Sequence, residues 1–363
     1  MGDPKRGRRA QKIAALVAGG ALLLAGAAVV LLVSFGRPQP THISEPATSS
    51  PSPTLPRAAP VGLETEISGT WVLDQVMSLS DLRRAEPTIA AGLAIRGVRG
   101  FSLRTGWNVI DQSFSLLDAG LALAETHHAA FSVRFMAGIY TPASVFAAGS
   151  PYYTDTDGKR VPLPFTATGD RNAPFESAYD SFVGRLTAWA RSNGVKLVHL
   201  SNYGEKYSEL NYDRQLRSSP GFSVNAFISA EERLANIGLK YAGTDLALEL
   251  PMSGSGPLLQ VVPPIVDYIA RADAARHELL IIQANGWGPA GYWSSSAATG
   301  HNLDGVFATS VPRALQMIQS GDYDWPVLYA AARQIKAIYV EVYAGSFVGA
   351  AKGSLAQQAG AFA

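Results

Sequence analysis

The sequence predicts a (β/α)8 barrel with loop insertions, preceded by one membrane-spanning helix and an extended tether. Three observations predict it. From Gly69 onward, short strand-like runs alternate with helix-like segments. Those runs are almost continuously apolar, the pattern of a parallel sheet covered on both faces. Seven or eight such units fit into about 285 residues, and a barrel of this kind takes roughly 250 plus insertions. A doubly wound sheet is the runner-up. It would carry a Gly-rich phosphate turn after its first strand, and none follows Thr70–Val76.

The elements follow in chain order. Lys5, Arg6, Arg8, Arg9 and Lys12 precede an uncharged apolar run of 23 residues, Ile13–Phe35. A bilayer core needs about 20 helical residues. A cleavable signal has an apolar region of roughly 7–15 residues and a small-residue cleavage site. This run ends in "VVLLVSFGRP", which offers none. The expectation is a signal-anchor over residues 13–35 in the cell membrane. Residues 1–12 then stay cytoplasmic and the main domain is extracytoplasmic. Residues 36–62 are rich in Pro, Ser and Thr and read as a solvated tether. The barrel is expected over residues 63–350, with a C-terminal tail over 351–363.

Strand candidates start near Thr70, Phe101, Phe131, Leu197, Leu246, Leu279 and Ile338. An eighth is sought in Leu303–Thr309, and helices are expected near Pro312–Gln319 and Pro326–Lys336. Two polar excursions, Ile139–Pro174 and Glu205–Val224, are too long for simple connections. One echo supports the barrel: "FSLR" (Phe101–Arg104) and "FSVR" (Phe131–Arg134) fall at the same place in consecutive strands.

Composition narrows the function. Hydrophobic residues make up 47% and charged residues 16%, a globular balance. The net charge of +1 gives no reason to expect a nucleic-acid partner. The chain has no Cys, so disulfides, thiolate metal sites and Cys nucleophiles are excluded. HExxH, GxxxxGK[ST] and GxSxG are absent, and no metal or cofactor is predicted. The acidic stretch Tyr153–Arg160 lacks the distal Glu of a calcium loop and reads as a polar turn.

Barrel active sites lie at the C-terminal strand ends. Here the strand ends supply Arg104 and Trp107, Arg134, then Asn202, Tyr203, Glu205 and Glu209, then Glu249, then Gln283, Asn285 and Trp287, and finally Glu341 and Tyr343. Carboxylates, amides, arginines and aromatics together suit a carbohydrate. Aromatic faces stack on sugar rings, amides and Arg bind hydroxyls, and two carboxyl groups cleave a glycosidic bond. Glu341, on the strand face of Tyr339 and Tyr343, is the candidate nucleophile, held ionised by Arg104 or Arg134. Glu209 or Glu205 is the candidate acid. Structural readings compete throughout: Glu341 as an ion-paired strand residue, the arginines as its partners, and the tryptophans as core.

On these residues the domain resembles (β/α)8 glycoside hydrolases of the large retaining clan related to cellulases and β-galactosidases. "SNYGE" is similar to that clan's fourth-strand acid/base segment, "YVEVY" to its late-strand nucleophile, and "GVRGFSLRTGWNVID" to its second strand. The likeness is one of architecture and spacing over Gly69–Phe347. It departs in two places: two residues separate Asn202 from Glu205, and Glu341 falls on the last strand. The resemblance implies a retaining glycoside hydrolase; with the expected signal-anchor, the reading is a membrane-anchored enzyme acting on a cell-envelope or extracellular glycan. The alternative is the same barrel without catalysis, binding a glycan or partner at the cell surface.

Overall fold

The computed structural model describes residues 61–255, 257–276, 279–288, 311–348 and 352–362. The expected span 13–35, the tether up to residue 60 and the strand sought at 303–309 lie outside them. Among the described residues no helix is long and apolar enough to cross a membrane.

Eight strands close a barrel: β1 (Gly69–Gln75), β2 (Val98–Gly106), β3 (Ala130–Met136), β4 (Leu197–His199), β5 (Ala247–Pro251), β6 (Leu280–Trp287), β7 (Arg313–Met317) and β8 (Tyr339–Tyr343). They follow one another around the barrel in chain order, and β8 closes on β1. Every neighbouring pair is parallel. Parallel strands cannot be joined by tight turns, so helices must carry each return. Ser78, Asn172, Ser223 and Asp324 cap four of those helices by accepting a backbone N–H of the first turn.

One expectation is corrected. Pro312–Gln319, read as helical, contains strand β7. "RALQM" is short enough to satisfy either period. Pairing decides: without β7, the facing edges of β6 and β8 would keep unbonded N–H and C=O groups inside the fold. Residues 351–363, read as a tail, include the helix Lys352–Gly360, whose Leu355 and Ala359 are fully buried. The acidic stretch at Tyr153–Arg160 forms a hairpin turn. Strands Tyr152–Thr154 and Arg160–Pro162 pair there, and the Asp155 carboxylate accepts the N–H groups of Asp157 and Lys159.

Side chains alternate between lumen and helix layer along each strand. Trp71, Leu197, Ala247, Ile281, Ala314 and Tyr339 fill the N-terminal end of the lumen, with Leu63 and Ile67 from the helix Val61–Ile67. Gly100 is required by this layer. A Cβ there would stand 2.3 Å from the Ala130 carbonyl oxygen and 2.7 Å from the Trp71 ring. Above the apolar layer the lumen turns polar, which is where the chemistry collects.

Candidate active site

The β2–β3 register sets Ser102 beside Ser132 and Arg104 beside Arg134. The echo in the sequence is therefore a physical pairing across two strands. At the same heights β4 contributes His199, β5 Glu249, β6 Gln283 and β8 Glu341. All four are fully buried, as is Arg134.

Arg134 is the hub. Its Nη2 stands 2.8 Å from Glu341 Oε2 and 3.0 Å from Glu249 Oε2, and it also donates to Gln283 Oε1. Its Nη1 donates to Ser208 Oγ at 3.3 Å. Burial alone would depress the guanidinium, but the two carboxylates outweigh it and hold the charge more firmly than in water. Glu341 is the converse case. Burial pushes its carboxyl up. Arg134, then His199, then hydrogen bonds from Ser102 at 2.5 Å and Gln283 at 2.9 Å pull it down to about 2. Glu341 is therefore ionised at any ordinary pH.

His199 bridges the two carboxylates. Nδ1 lies 2.7 Å from Glu249 Oε2 and Nε2 lies 3.4 Å from Glu341 Oε1. The Tyr339 hydroxyl accepts from Gln283 Nε2 at 3.3 Å and lies 3.4 Å from His199 Nδ1. Sequence reasoning passed over His199, Ser102 and Ser208. Alternation would have found the first, since Leu197, His199 and Ser201 share one face of the strand.

The rim is built by the segment after β4. The Ala137 N–H donates to Ser201 Oγ at 3.0 Å, and the Ile139 N–H donates to the Glu205 carbonyl at 2.8 Å. Gly138, at φ +54, lets the chain pass 2.1 Å (measured to a would-be Cβ) from that carbonyl. Asn202 is buried, with its N–H on the Ser208 carbonyl at 2.9 Å and its side-chain amide on the Pro251 carbonyl. This hairpin-like closure brings Glu209 over the lumen. There the Asn285 side-chain amide donates to Glu209 Oε1 at 2.9 Å, and the Glu209 charge reaches Arg134 and Tyr343.

Glu205 goes elsewhere. Its charged neighbours are Asp213, Lys206, Asp155 and Asp157; partial burial and those acids raise its pKa. The structure thus separates the two candidate acids: Glu209 shares the mouth with Arg134, and Glu205 faces the Tyr152–Pro162 hairpin.

Three expected contacts are corrected. Trp107 is 1% exposed and packs among Phe135, Phe175, Tyr179 and Phe182 in the helix layer. Trp287 is fully buried against Tyr329. Tyr203 is buried against Phe175. None of the three presents a face to the mouth. Among the described residues Tyr207 is 49% exposed beside the mouth, its ring 5.1 Å from the Arg104 guanidinium. Tyr343 covers Arg104 from another side at 5.5 Å.

Several buried lumen atoms have no hydrogen-bond partner: Arg104 Nε, Arg134 Nε, Glu249 Oε1, Asn285 Oδ1 and Gln316 Oε1. Native interiors leave few polar atoms unpaired, so each of these calls for a partner such as water or a ligand. Among the described residues no group of acidic or His side chains is arranged to hold a metal ion.

No protein-family model matches the chain, and no curated protein matches it in sequence. Solved structures share its outline. A xylanase from Bispora sp. MEY-1 with xylobiose is 11% identical, with a TM-score of 0.43, over 78% of this chain and 86% of that one. A β-mannanase from Thermomonospora fusca in complex with mannohexaose is 12% identical, with a TM-score of 0.47, over 78% and 79%. An L-ribulose 3-epimerase is 9% identical, with a TM-score of 0.44, over 80% and 86%. Likeness at this level concerns the barrel outline, and the chemistry of this mouth rests on its own side chains.

Proposed function

We propose that the chain is a glycoside hydrolase, anchored by residues 13–35 and acting outside the cytoplasm on a cell-envelope or extracellular glycan. One observation carries the reading. A carboxylate held ionised in the lumen, Glu341, and a second carboxylate on the rim, Glu209, both act on Arg134 and Tyr343. Glycoside hydrolysis needs that pair: an ionised group to stabilise or attack the developing oxocarbenium centre, and a second to move the proton of the leaving oxygen. Glu249 does not complete the pair with Glu341, because the Arg134 guanidinium fills the gap between them.

The experiment is hydrolysis of a polysaccharide panel by the full chain in detergent micelles, read as new reducing ends. Glu209→Gln is expected to lower kcat by about 10²–10⁴-fold, the usual weight of a general acid. Glu209 is half-buried and takes part in no ion pair among the described residues, so the unfolding midpoint should hold. A Glu209→Gln rate equal to wild type would remove Glu209 from the mechanism.

The second reading is a barrel that binds a glycan without cleaving it. It is favoured by a specific feature: both oxygens of Glu341 are already engaged, by Ser102 and His199 on one and by Arg134 and Gln283 on the other. Saturable glycan binding with no cleavage of any panel member would select this reading.

A further inference from the structure

Two arginines stand side by side in this mouth and are treated differently. Arg134 meets two carboxylates. Arg104 is only 4% exposed, yet among the described residues it forms no ion pair; the half-buried Asp74 feels its charge from beyond ion-pair distance. Among the described residues its guanidinium makes one hydrogen bond, Nη2 to Gln75 Oε1 at 3.1 Å, and its Nε–H has no acceptor. A guanidinium this deep is normally paired. The Tyr207 and Tyr343 rings attract the cation. They do not use the N–H donors, which lie in the guanidinium plane. A charge and part of a donor fork remain unspent at the entrance to the polar lumen.

Resting on the carbohydrate reading above, we propose that the substrate is an acidic glycan: Arg104 takes the carboxylate of a uronic-acid unit while a sugar ring stacks on the exposed face of Tyr207. The planar fork of Arg suits a carboxylate. The surroundings favour a monoanion over a phosphate or sulfate ester. Glu209 and Glu341 both act on Tyr343 alongside Arg104, so a dianion would meet two carboxylates with a single unspent cation to offset them. Tyr207 supplies what Trp107 and Trp287 do not, a ring half open to the mouth and steadied from behind by Arg104.

The test uses the full chain in detergent micelles and calorimetric binding of uronate oligosaccharides: galacturonan, alginate and hyaluronan fragments, each beside its carboxyl-reduced form. The reduced form keeps the linkage and loses the charge. At least one acidic member should bind about ten-fold or more tightly than its reduced partner, the usual weight of a hydrogen bond to a charged group. Arg104→Gln should bring the two within two-fold. Tyr207→Ala should weaken both members of the pair. Arg104→Gln should also melt close to wild type, because among the described residues no ion pair holds its charge and Asp74 feels it only at longer range; a clear drop would make Arg104 a structural residue and overturn the proposal. Equal binding of acidic and reduced forms, no binding of any acidic member, or an acidic preference that survives Arg104→Gln would each overturn it as well. Acidic glycans bound but never cleaved would defeat the hydrolase reading and leave this one standing. Neutral glycans cleaved with no acidic preference would do the reverse.

Discussion

Replacing Arg134 by methionine is expected to lower the thermal unfolding midpoint of the full chain by about 6–15 °C at pH 7. The reason lies in what stays behind. Glu249 and Glu341 are both fully buried, and both lose the cation they share. Breaking a buried pair by removing one partner costs about 3–5 kcal/mol, because the remaining charge has neither water nor counter-ion. Here two carboxylates remain, facing each other in one lumen. Glu341 keeps its bonds from Ser102 and Gln283, which limits the loss.

The pH dependence gives the sign. In the wild type, the Glu341 pKa is depressed to about 2, so its contribution is present above the unfolded value of 4.5 and is lost as pH falls toward 2. Without Arg134, burial dominates and the folded carboxyl rises above 4.5, so stability is lost as pH rises. The gap between variant and wild type should therefore widen from pH 4 to pH 7. Adding Glu249→Gln to Arg134→Met should recover much of the loss, the coupling expected of residues in one ion-pair network. A single variant that melts within about 2 °C of wild type would mean that water already screens this cluster.

That cluster also marks how far the sequence could be read. Continuous apolar runs between helix-like segments placed seven of the barrel strands and set Glu249, Gln283 and Glu341 at one end of the barrel. The repeated Phe-Ser-x-Arg was legible because parallel neighbours in register set like residues side by side. The tryptophans were misread for a local reason. Trp107 follows Arg104 by three positions, and odd spacing along an extended chain points away from the lumen. Trp287 follows Asn285 by two and should face inward. A register shift against β7, between Ala284 and Trp287, turns it into the helix layer instead. Strand β7 itself was hidden because five residues do not separate period 2 from period 3.6. The choice between Glu205 and Glu209 was beyond the sequence, since it depends on a closure made by Gly138, Ser201 and Ser208.

Stability of the full chain should fall between about pH 5 and pH 8, and Glu231→Gln should flatten much of that slope. Glu231 lies on the helix Val224–Tyr241, 1% exposed, beneath the rim segment. Burial raises its carboxyl to about 8 against weaker opposing pulls from the Tyr203 N–H, 3.3 Å from Oε1, and from Arg233. Arg233 spends its Nε on Glu176 at 2.7 Å, and Glu231 Oε2 has no hydrogen-bond partner. A carboxyl whose folded pKa is raised contributes stability fully below the unfolded 4.5 and loses it as pH rises through the folded value near 8. The size is a few kcal/mol, on the order of the shift itself. Glu341 acts with the opposite sign below pH 4.5, so these two residues together place the stability maximum near pH 5. The effect has a direction in space too. The Glu231 carboxyl holds the backbone of Tyr203, in the segment that carries Glu209 to the mouth. Ionisation near pH 8 strengthens that single bond but leaves a buried charge whose other oxygen has no partner, so water entry should loosen the segment before the barrel unfolds, and the proposed hydrolysis should decline above pH 8 in the wild type and less steeply in Glu231→Gln. Denaturant melts of the two proteins at matched pH decide it, and parallel stability profiles would remove Glu231 from the account.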